Sequence, residues 1–181
     1  GGGGGGNAES GEGGRLGGDA AGERTPTTLR FVRDSSHSDG AISSGYRGFY
    51  YHFLDMASGR RAWKCELSTI DSTFLIAGAL VAAQYFDGAR EDEQEVRYIA
   101  DELYRRMDWT WMLTQEQTVG HGWKPEAGFL PPSWQGYSEA LLLYLLGLGS
   151  PTHPLPAESY RAWVASYRWK KIYGRDLLFA G

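Results

Sequence analysis

Two apolar stretches with helical character each begin with one carboxylate, and this pairing could support chemistry. Asp71 lies near the start of the stretch 68–86, and Glu139 lies near the start of the stretch 136–149. Two carboxylates that meet in a cleft can act as a general acid and as a base or nucleophile. Each also has a simpler interpretation, as a first-turn residue that caps a helix or complements its dipole.

The segment 108–137 is long for a loop and mixes aromatic with ionisable residues, which is typical of functional loops. Aromatic ring faces stack on the apolar faces of sugars, while polar side chains hydrogen-bond the hydroxyls. Taken singly, Trp63, Trp123 and Trp134 are of a kind more often found in the core than as binding platforms. Together with the residues just before 68, the segment predicts a sugar-binding surface. Its candidate binding residues are Glu66, Trp63, Trp111, His121, Trp123, Lys124, Trp134 and Tyr137, and Glu126 is a further candidate carboxylate.

The surrounding elements are predicted to be helices that alternate between the interior and the surface. The stretches 69–86 and 138–148 are apolar on nearly every face, which predicts inner helices, and both are too short to span a bilayer. The segments 91–107 and 157–167 have one apolar stripe each and are predicted to be outer helices. This order predicts an all-α fold, an α/α toroid in which inner helices open at one end. The segment 48–56 is compatible with a strand pair or a short helix.

The bulk composition narrows the function further. A chain of 181 residues with a net charge of -4 is one domain or part of one, and the charge gives no case for nucleic-acid binding. One cysteine and four widely separated histidines predict neither a metal site nor another cofactor. The glycine-rich segment 1–28 is predicted to be disordered, with the folded domain over 29–181. Since that segment has no apolar core, it predicts no secretory signal.

Four motifs in order resemble the bacterial glycoamylase-like family, which includes endo-β-1,2-glucanases and the glycan-processing region of cyclic β-1,2-glucan synthases. The resemblance covers roughly residues 31–181. The motifs are Glu66-Leu-Ser-Thr-Ile-Asp71, Gly122-Trp-Lys-Pro-Glu-Ala-Gly-Phe129, Trp134-Gln-Gly-Tyr-Ser-Glu139 and Leu148-Gly-Ser-Pro-Thr-His-Pro154.

The resemblance implies an (α/α)6 toroid with a glucan-binding cleft and no metal in catalysis. It places Asp71, Glu126 and Glu139 among the cleft carboxylates, with Glu139 as the candidate general acid. The implied activity is that of a glycoside hydrolase or transglycosylase acting on β-glucan, with β-1,2-glucan favoured. Because the chain has about half the helices of such a toroid, we expect a fragment of its N-terminal half, with a second catalytic carboxylate beyond residue 181.

Two further questions stay open at the level of sequence. A non-catalytic glycan-binding or scaffold remnant of the same fold is the alternative to an enzyme. The expected partner in either case is an oligo- or polysaccharide, with no nucleic acid and no membrane segment. The sequence leaves the location in a bacterium open between periplasm and cytoplasm.

Overall fold

The computed structural model describes the backbone of residues 12–179 and the side chains of residues 22–179. Within these residues, helices and short antiparallel strands alternate along the chain. The helices are α1 (Glu12–Asp34), α2 (Thr69–Tyr85), α3 (Glu91–Arg106), α4 (Leu141–Leu148) and α5 (Ala157–Val164), with a 3-10 turn at Trp109–Met112. None of these described helices is both long and apolar enough to cross a lipid bilayer.

Seven short strands show that the all-α prediction is wrong and that the fold is mixed α/β. The strands are β1 (Gly45–Tyr46), β2 (Phe49–Tyr51), β3 (Leu67–Ser68), β4 (Gly122–Lys124), β5 (Gly128–Phe129), β6 (Arg168–Ile172) and β7 (Arg175–Phe179). An antiparallel sheet has the order β1-β2-β3-β4-β5, and β6 pairs with β7 in a separate hairpin. The predicted (α/α)6 toroid is therefore not the architecture of the described residues.

The five-stranded sheet forms where the segments that lead to the helices pair with one another. Tyr50 pairs with Ser68, and Leu67 pairs with Trp123, so three distant segments meet just before α2 begins. Phe49, Tyr50 and Leu67 are buried here. Buried backbone groups need hydrogen-bond partners, and short ladders supply them to segments that would otherwise be irregular.

Helices α2 and α3 confirm the helical predictions for 69–86 and 91–107 to within one residue. Ser68 is the N-cap of α2, as its hydroxyl accepts the backbone N–H of Asp71. The predicted apolar stripe of α3 is buried, and the helix packs against both α1 and α2. Acidic residues in its first turn and Arg105 and Arg106 in its last complement the helix dipole.

Helix α1 crosses the boundary at residue 28 that the sequence predicted between disordered and folded segments. Residues 12–28 belong to this helix, whereas the predicted disorder of residues 1–11 lies outside the described residues. Leu29 and Val32 are buried, and Arg30 forms an ion pair with Glu95 of α3. These contacts lie just after the glycine-rich composition ends, and they stabilise a helix that composition alone argues against.

One side of α2 is exposed, in contrast to the burial on all sides that its composition predicts. Phe74, Val81 and Tyr85 are at least half exposed, and Leu145 of the neighbouring α4 is also exposed. Over the described part of the chain, no element covers this side. The opposite side of α2 carries Ile76 and Ala79 into the core.

Candidate active site

The N-terminus of α2 is the point where several of the predicted site residues meet. Strand β3 ends at Ser68, the helix begins at the next residue, and Asp71 lies in its first turn. The Ser68 hydroxyl accepts the Asp71 backbone N–H at 3.2 Å and donates to Asp71 Oδ2 at 2.5 Å. The capping interaction thus fixes the carboxylate as well as the helix, and the carboxylate stays about half exposed, at 48% of its side-chain area.

A histidine that the sequence analysis did not select joins Asp71 to Glu66. His52 follows β2, and its Nδ1 lies 2.8 Å from Glu66 Oε1, while its Nε2 lies 3.6 Å from Asp71 Oδ2. Burial raises the pKa of Glu66, but hydrogen bonds and the charges of His52 and Lys124 outweigh it, so that the pKa is lowered. Glu66 is therefore held as a carboxylate beside Asp71.

The loop that carries His121 and Trp134 is bonded directly to the first residue of α2. Thr69 donates its backbone N–H to the carbonyl of His121 at 3.2 Å. Its buried hydroxyl contacts the carbonyls of Gly120 and His121 at 2.9 Å and accepts Trp134 Nε1–H at 3.0 Å. The loop around residues 120–134 therefore lies beside this helix terminus.

Glu139 lies near the same loop, in the turn before α4 rather than in the first turn of that helix. The His121 ring stacks on Trp134 at 4.0 Å. Burial lowers the pKa of His121, and the negative charge of Glu139 opposes this effect, which places Glu139 in the electrostatic range of His121. Glu139 is exposed, and among the described side chains it has no hydrogen-bond or ion-pair partner.

Helix α4 is held against this loop by a buried tyrosine. The Tyr144 hydroxyl accepts the backbone N–H of Val119 and donates to the carbonyl of Trp134, both at 3.0 Å. Burial raises the pKa of Tyr144 to about 12, so the hydroxyl stays protonated and keeps its donor role. The turn with Glu139 and the terminus with Asp71 consequently flank one loop.

Glu126 has a different environment from the other two carboxylates. It lies between β4 and β5 and forms two bonds to Arg61, Nη1 to Oε1 at 2.6 Å and Nη2 to Oε2 at 3.1 Å. The Arg61 side chain is 1% exposed, donates Nε–H to the carbonyl of Cys65, and lies over the Tyr51 ring. The hydrogen bond from Arg61 lowers the pKa of Glu126. This geometry favours a role in holding the β4–β5 hairpin.

The predicted aromatic residues separate into three groups. Trp111 and Trp123 lie 5.5 Å apart in a half-buried cluster with Tyr46 and Phe129. Trp134 packs on His121, as described above. The exposed residues are Trp63 and Tyr137, at 83% and 55%.

Trp63 is the most exposed of these rings and has an unusual backbone. It packs on Phe53, which stacks on His52, so a row of rings leads to the pair Glu66 and Asp71. Trp63 and Lys64 both have positive φ, at 50° and 52°. Two consecutive non-glycine residues in this region are strained, and such strain clusters at functional sites.

A glycine permits the close approach of the strands at this end. A Cβ on Gly122 would lie 2.3 Å from the carbonyl oxygen of Leu67. Strand β4 can therefore pair with β3 immediately before α2, which brings Lys124 near Glu66. Any larger residue at 122 would separate the two strands that position the site.

A cavity of about 230 Å³ opens beside Asp71 and His52, between α1 and α2. Its walls are mainly apolar, with Phe31, Leu54 and Leu75 among them. No group of three or more potential metal ligands occurs in the described part of the chain. The groups that the site does offer are the carboxylates of Glu66 and Asp71, the His52 imidazole and the aromatic rings.

Sequence reasoning missed His52, Arg61 and Thr69, whose roles depend on contacts across the chain. His52 meets Glu66 through the β2–β3 pairing, and Arg61 meets Glu126 across 65 positions. A histidine that directly follows an aromatic strand gave a weak signal. Nothing local marked Arg61 or Thr69.

Comparison with known proteins agrees with the motif resemblance. The model of the glycoamylase family, described as putative glucoamylase, matches residues 131–181. An exo-β-1,2-glucooligosaccharide sophorohydrolase (non-reducing end) from Parabacteroides distasonis is 23% identical over 156 residues, which are 81% of this chain and 21% of that protein.

Two solved structures share the fold. A putative glucoamylase from Bacteroides uniformis matches with a TM-score of 0.78 and 24% identity, over 90% of this chain and 40% of that one. The endo-β-1,2-glucanase from Chitinophaga pinensis, solved with sophorotriose and glucose, matches with a TM-score of 0.74 and 23% identity, over 91% and 40%.

The chain thus spans about a fifth of its curated relative, at 21%, and 40% of each of these two solved chains. The predicted resemblance is confirmed: over part of their length, this chain is similar to proteins of the glycoamylase-like family and to β-1,2-glucan hydrolases.

Proposed function

We propose that this chain contributes to a glycoside hydrolase domain that acts on β-glucan, with β-1,2-glucan as the favoured substrate. The observation that carries the proposal is that Asp71 and Glu139 flank one loop, beside the aromatic row that ends at Trp63. The sophorohydrolase and the endo-β-1,2-glucanase to which the chain is similar support the linkage. A transglycosylase would use the same groups, with a sugar hydroxyl in place of water.

In this proposal Glu139 is the general acid. Glycoside hydrolysis requires a carboxylic acid that protonates the leaving oxygen and a carboxylate that activates water or attacks the anomeric carbon. Glu139 is exposed and makes no ion pair among the described residues. Its acid proton would pass to the glycosidic oxygen as the bond to the anomeric carbon breaks.

Asp71 is the partner carboxylate of this chain in the proposal. It lies in the first turn of α2 and accepts a hydrogen bond from the Ser68 hydroxyl. Asp71 can orient a sugar hydroxyl or a water molecule. The carboxylate that pairs with Glu139 in catalysis is either Asp71 or a residue outside the described part of the chain. Glu126 is proposed to hold the β4–β5 hairpin in place, because Arg61 binds both of its carboxylate oxygens.

The exposure of each remaining candidate decides whether it is assigned to substrate contact or to supporting the site. Trp63 and Tyr137 offer ring faces, and Trp134 with His121 forms the floor of the loop. Trp111 and Trp123 hold the sheet side of the site through their half-buried cluster. Lys124 and Glu66 can hydrogen-bond sugar hydroxyls next to Asp71.

The test uses the full-length protein that contains this chain, since the relatives are much longer. It should release reducing sugar from β-1,2-glucan and should be retarded by β-1,2-glucan in an affinity gel. Activity on β-1,3- or β-1,4-glucan with none on β-1,2-glucan would contradict the substrate assignment.

A non-catalytic glycan-binding role is the second candidate, favoured by the exposure of Trp63 on a strained turn. In that case the affinity gel would show retardation without any release of reducing sugar, and Trp63→Ala would abolish the retardation. A protein that is neither retarded nor active would contradict both functions.

A further inference from the structure

We propose that His52 is a positioning residue that orients the carboxylate of Glu66 and places an acceptor nitrogen beside Asp71 at the N-terminus of α2. This inference rests on the proposed function only in that a bound sugar would contact these carboxylates. The contact geometry itself can be tested without any substrate.

His52 is held through its backbone and through its ring. Its backbone N–H donates to the carbonyl of Glu66 at 2.9 Å, and its ring stacks on Phe53 at 4.2 Å with planes 11° apart. Phe53 in turn donates its backbone N–H to Cys65 Sγ at 3.3 Å and lies under Trp63. The ring therefore has little freedom to turn away from the carboxylates.

The contact to Glu66 determines which ring nitrogen carries the proton. A carboxylate accepts hydrogen bonds, so Nδ1 at 2.8 Å from Glu66 Oε1 must be the donor. In neutral imidazole the second nitrogen is then an acceptor. The structure therefore assigns the Nδ1–H tautomer to neutral His52, with the Nε2 lone pair on the side of Asp71.

Nε2 and Asp71 together form a distinct polar pair. The distance of 3.6 Å from Nε2 to Asp71 Oδ2 is longer than a hydrogen bond, and this oxygen already accepts from Ser68. Two acceptors side by side suit the hydroxyl donors of a sugar. A protonated ring would instead attract both carboxylates.

The result is a row of polar groups in which Ser68 bonds Asp71 and His52 bonds Glu66. The row joins the N-cap of α2 to the end of β2, and these two elements are also bonded between Ser72 and Tyr50. Lys124, on β4, is a charged group outside the row, and it lowers the pKa of Glu66. Removing the imidazole would free Glu66 and remove the acceptor beside Asp71, whereas Asp71 would keep its bond to Ser68.

The first test measures the tautomer by nitrogen-15 NMR of the histidine rings in the full-length protein. The His52 signals are identified by their loss in His52→Gln. We expect neutral His52 to be the Nδ1–H form, whereas a free histidine side chain favours Nε2–H. Glu66→Met, which removes the acceptor of the Nδ1–H bond, should move His52 to the Nε2–H form. Glu126→Met, which changes a carboxylate bound to Arg61, should leave it unchanged. An Nε2–H tautomer in the unmodified protein, or no response to Glu66→Met, would overturn the proposal.

The second test measures positioning through kinetics in the full-length protein. His52→Ala should lower kcat/KM on β-1,2-glucan up to about 100-fold, as a misplaced reacting group does. His52→Asn keeps a donor near the Nδ1 position and should restore most of the loss, at an unchanged melting temperature. Equal losses in both variants would contradict positioning. If no variant or parent shows glucanase activity, the proposed function fails, while the tautomer result still decides the assignment of His52.

Discussion

Glu126 and Glu139 are two glutamates that the sequence grouped together and that the structure places in opposite environments. Both oxygens of Glu126 are bound by Arg61, whose side chain is buried. Glu139 is exposed on a turn, with the partly buried His121 within electrostatic range. A sequence motif can therefore select two acidic residues whose partners differ. A carboxylate bound through both oxygens by a guanidinium stabilises structure, and one without an ion-pair partner is open to a ligand.

The largest effect that this comparison predicts is on turnover. In the full-length protein, Glu139→Gln should lower kcat on β-1,2-glucan by about 10²–10⁴, because the leaving oxygen loses its proton donor. Glucan binding should persist, since the aromatic contacts stay. Measured in parallel, Glu158→Gln on α5 is a matched control, as Glu158 is exposed and its one ion pair among the described residues is with Arg161, at 3.7 Å. A Glu139→Gln enzyme with parental kcat would remove Glu139 from the mechanism.

The next effect is on stability, through the partner of Glu126. Arg61→Met keeps the length of the side chain but removes the charge-assisted hydrogen bonds to Glu126 and Cys65. We expect the free energy of unfolding to fall by about 1–3 kcal/mol, as measured by chemical denaturation. Arg105→Met, which removes an exposed ion pair with Asp101 on α3, should cost less than about 1 kcal/mol. Equal losses would mean that the burial of Arg61 adds nothing.

A third prediction concerns acid. The pKa values of Glu66 and Glu126 in the folded chain lie below the ordinary value of 4.5. Such groups stabilise the folded state above that value, and their contribution is lost as the pH falls through the lowered pKa. Unfolding measured from about pH 6 to about pH 3 should show this loss, and Glu126→Gln should make the dependence shallower. An unchanged slope in Glu126→Gln would contradict the bond to Arg61.

The smallest effect is at the helix terminus. Ser68→Ala should lower the free energy of unfolding by about 1 kcal/mol, because the backbone N–H of Asp71 loses its cap. Ser38→Ala is the control, since its hydroxyl accepts one long bond of 3.3 Å from Gly40 in an exposed turn. The same denaturation curves measure both variants. If the two losses are equal, the cap is not what fixes Asp71.

The helices could be predicted because their signals are local. The cap at Ser68 and the spacing from Val96 to Leu103 lie within single segments, and α2 and α3 were located from them. The helix predicted at 157–167 is confirmed over Ala157–Val164, with Trp163 buried. Local patterns of capping and periodicity therefore carried over to the structure.

The sheet and the partners of the site could not be predicted in the same way. Strands of two or three residues are too short to show alternation, and their pairing joins positions as distant as Leu67 and Trp123. Arg61 has no local feature that marks it as the partner of Glu126. For the same reason, the sequence could group the acidic residues but could not separate a bound carboxylate from an available one.

The most direct test of this account measures kcat and melting temperature for Glu139→Gln and Glu126→Gln in the full-length protein. We predict that Glu139→Gln loses turnover at an unchanged melting temperature, whereas Glu126→Gln lowers the melting temperature and retains turnover below it. The account is contradicted if Glu126→Gln abolishes turnover at an unchanged melting temperature while Glu139→Gln remains active.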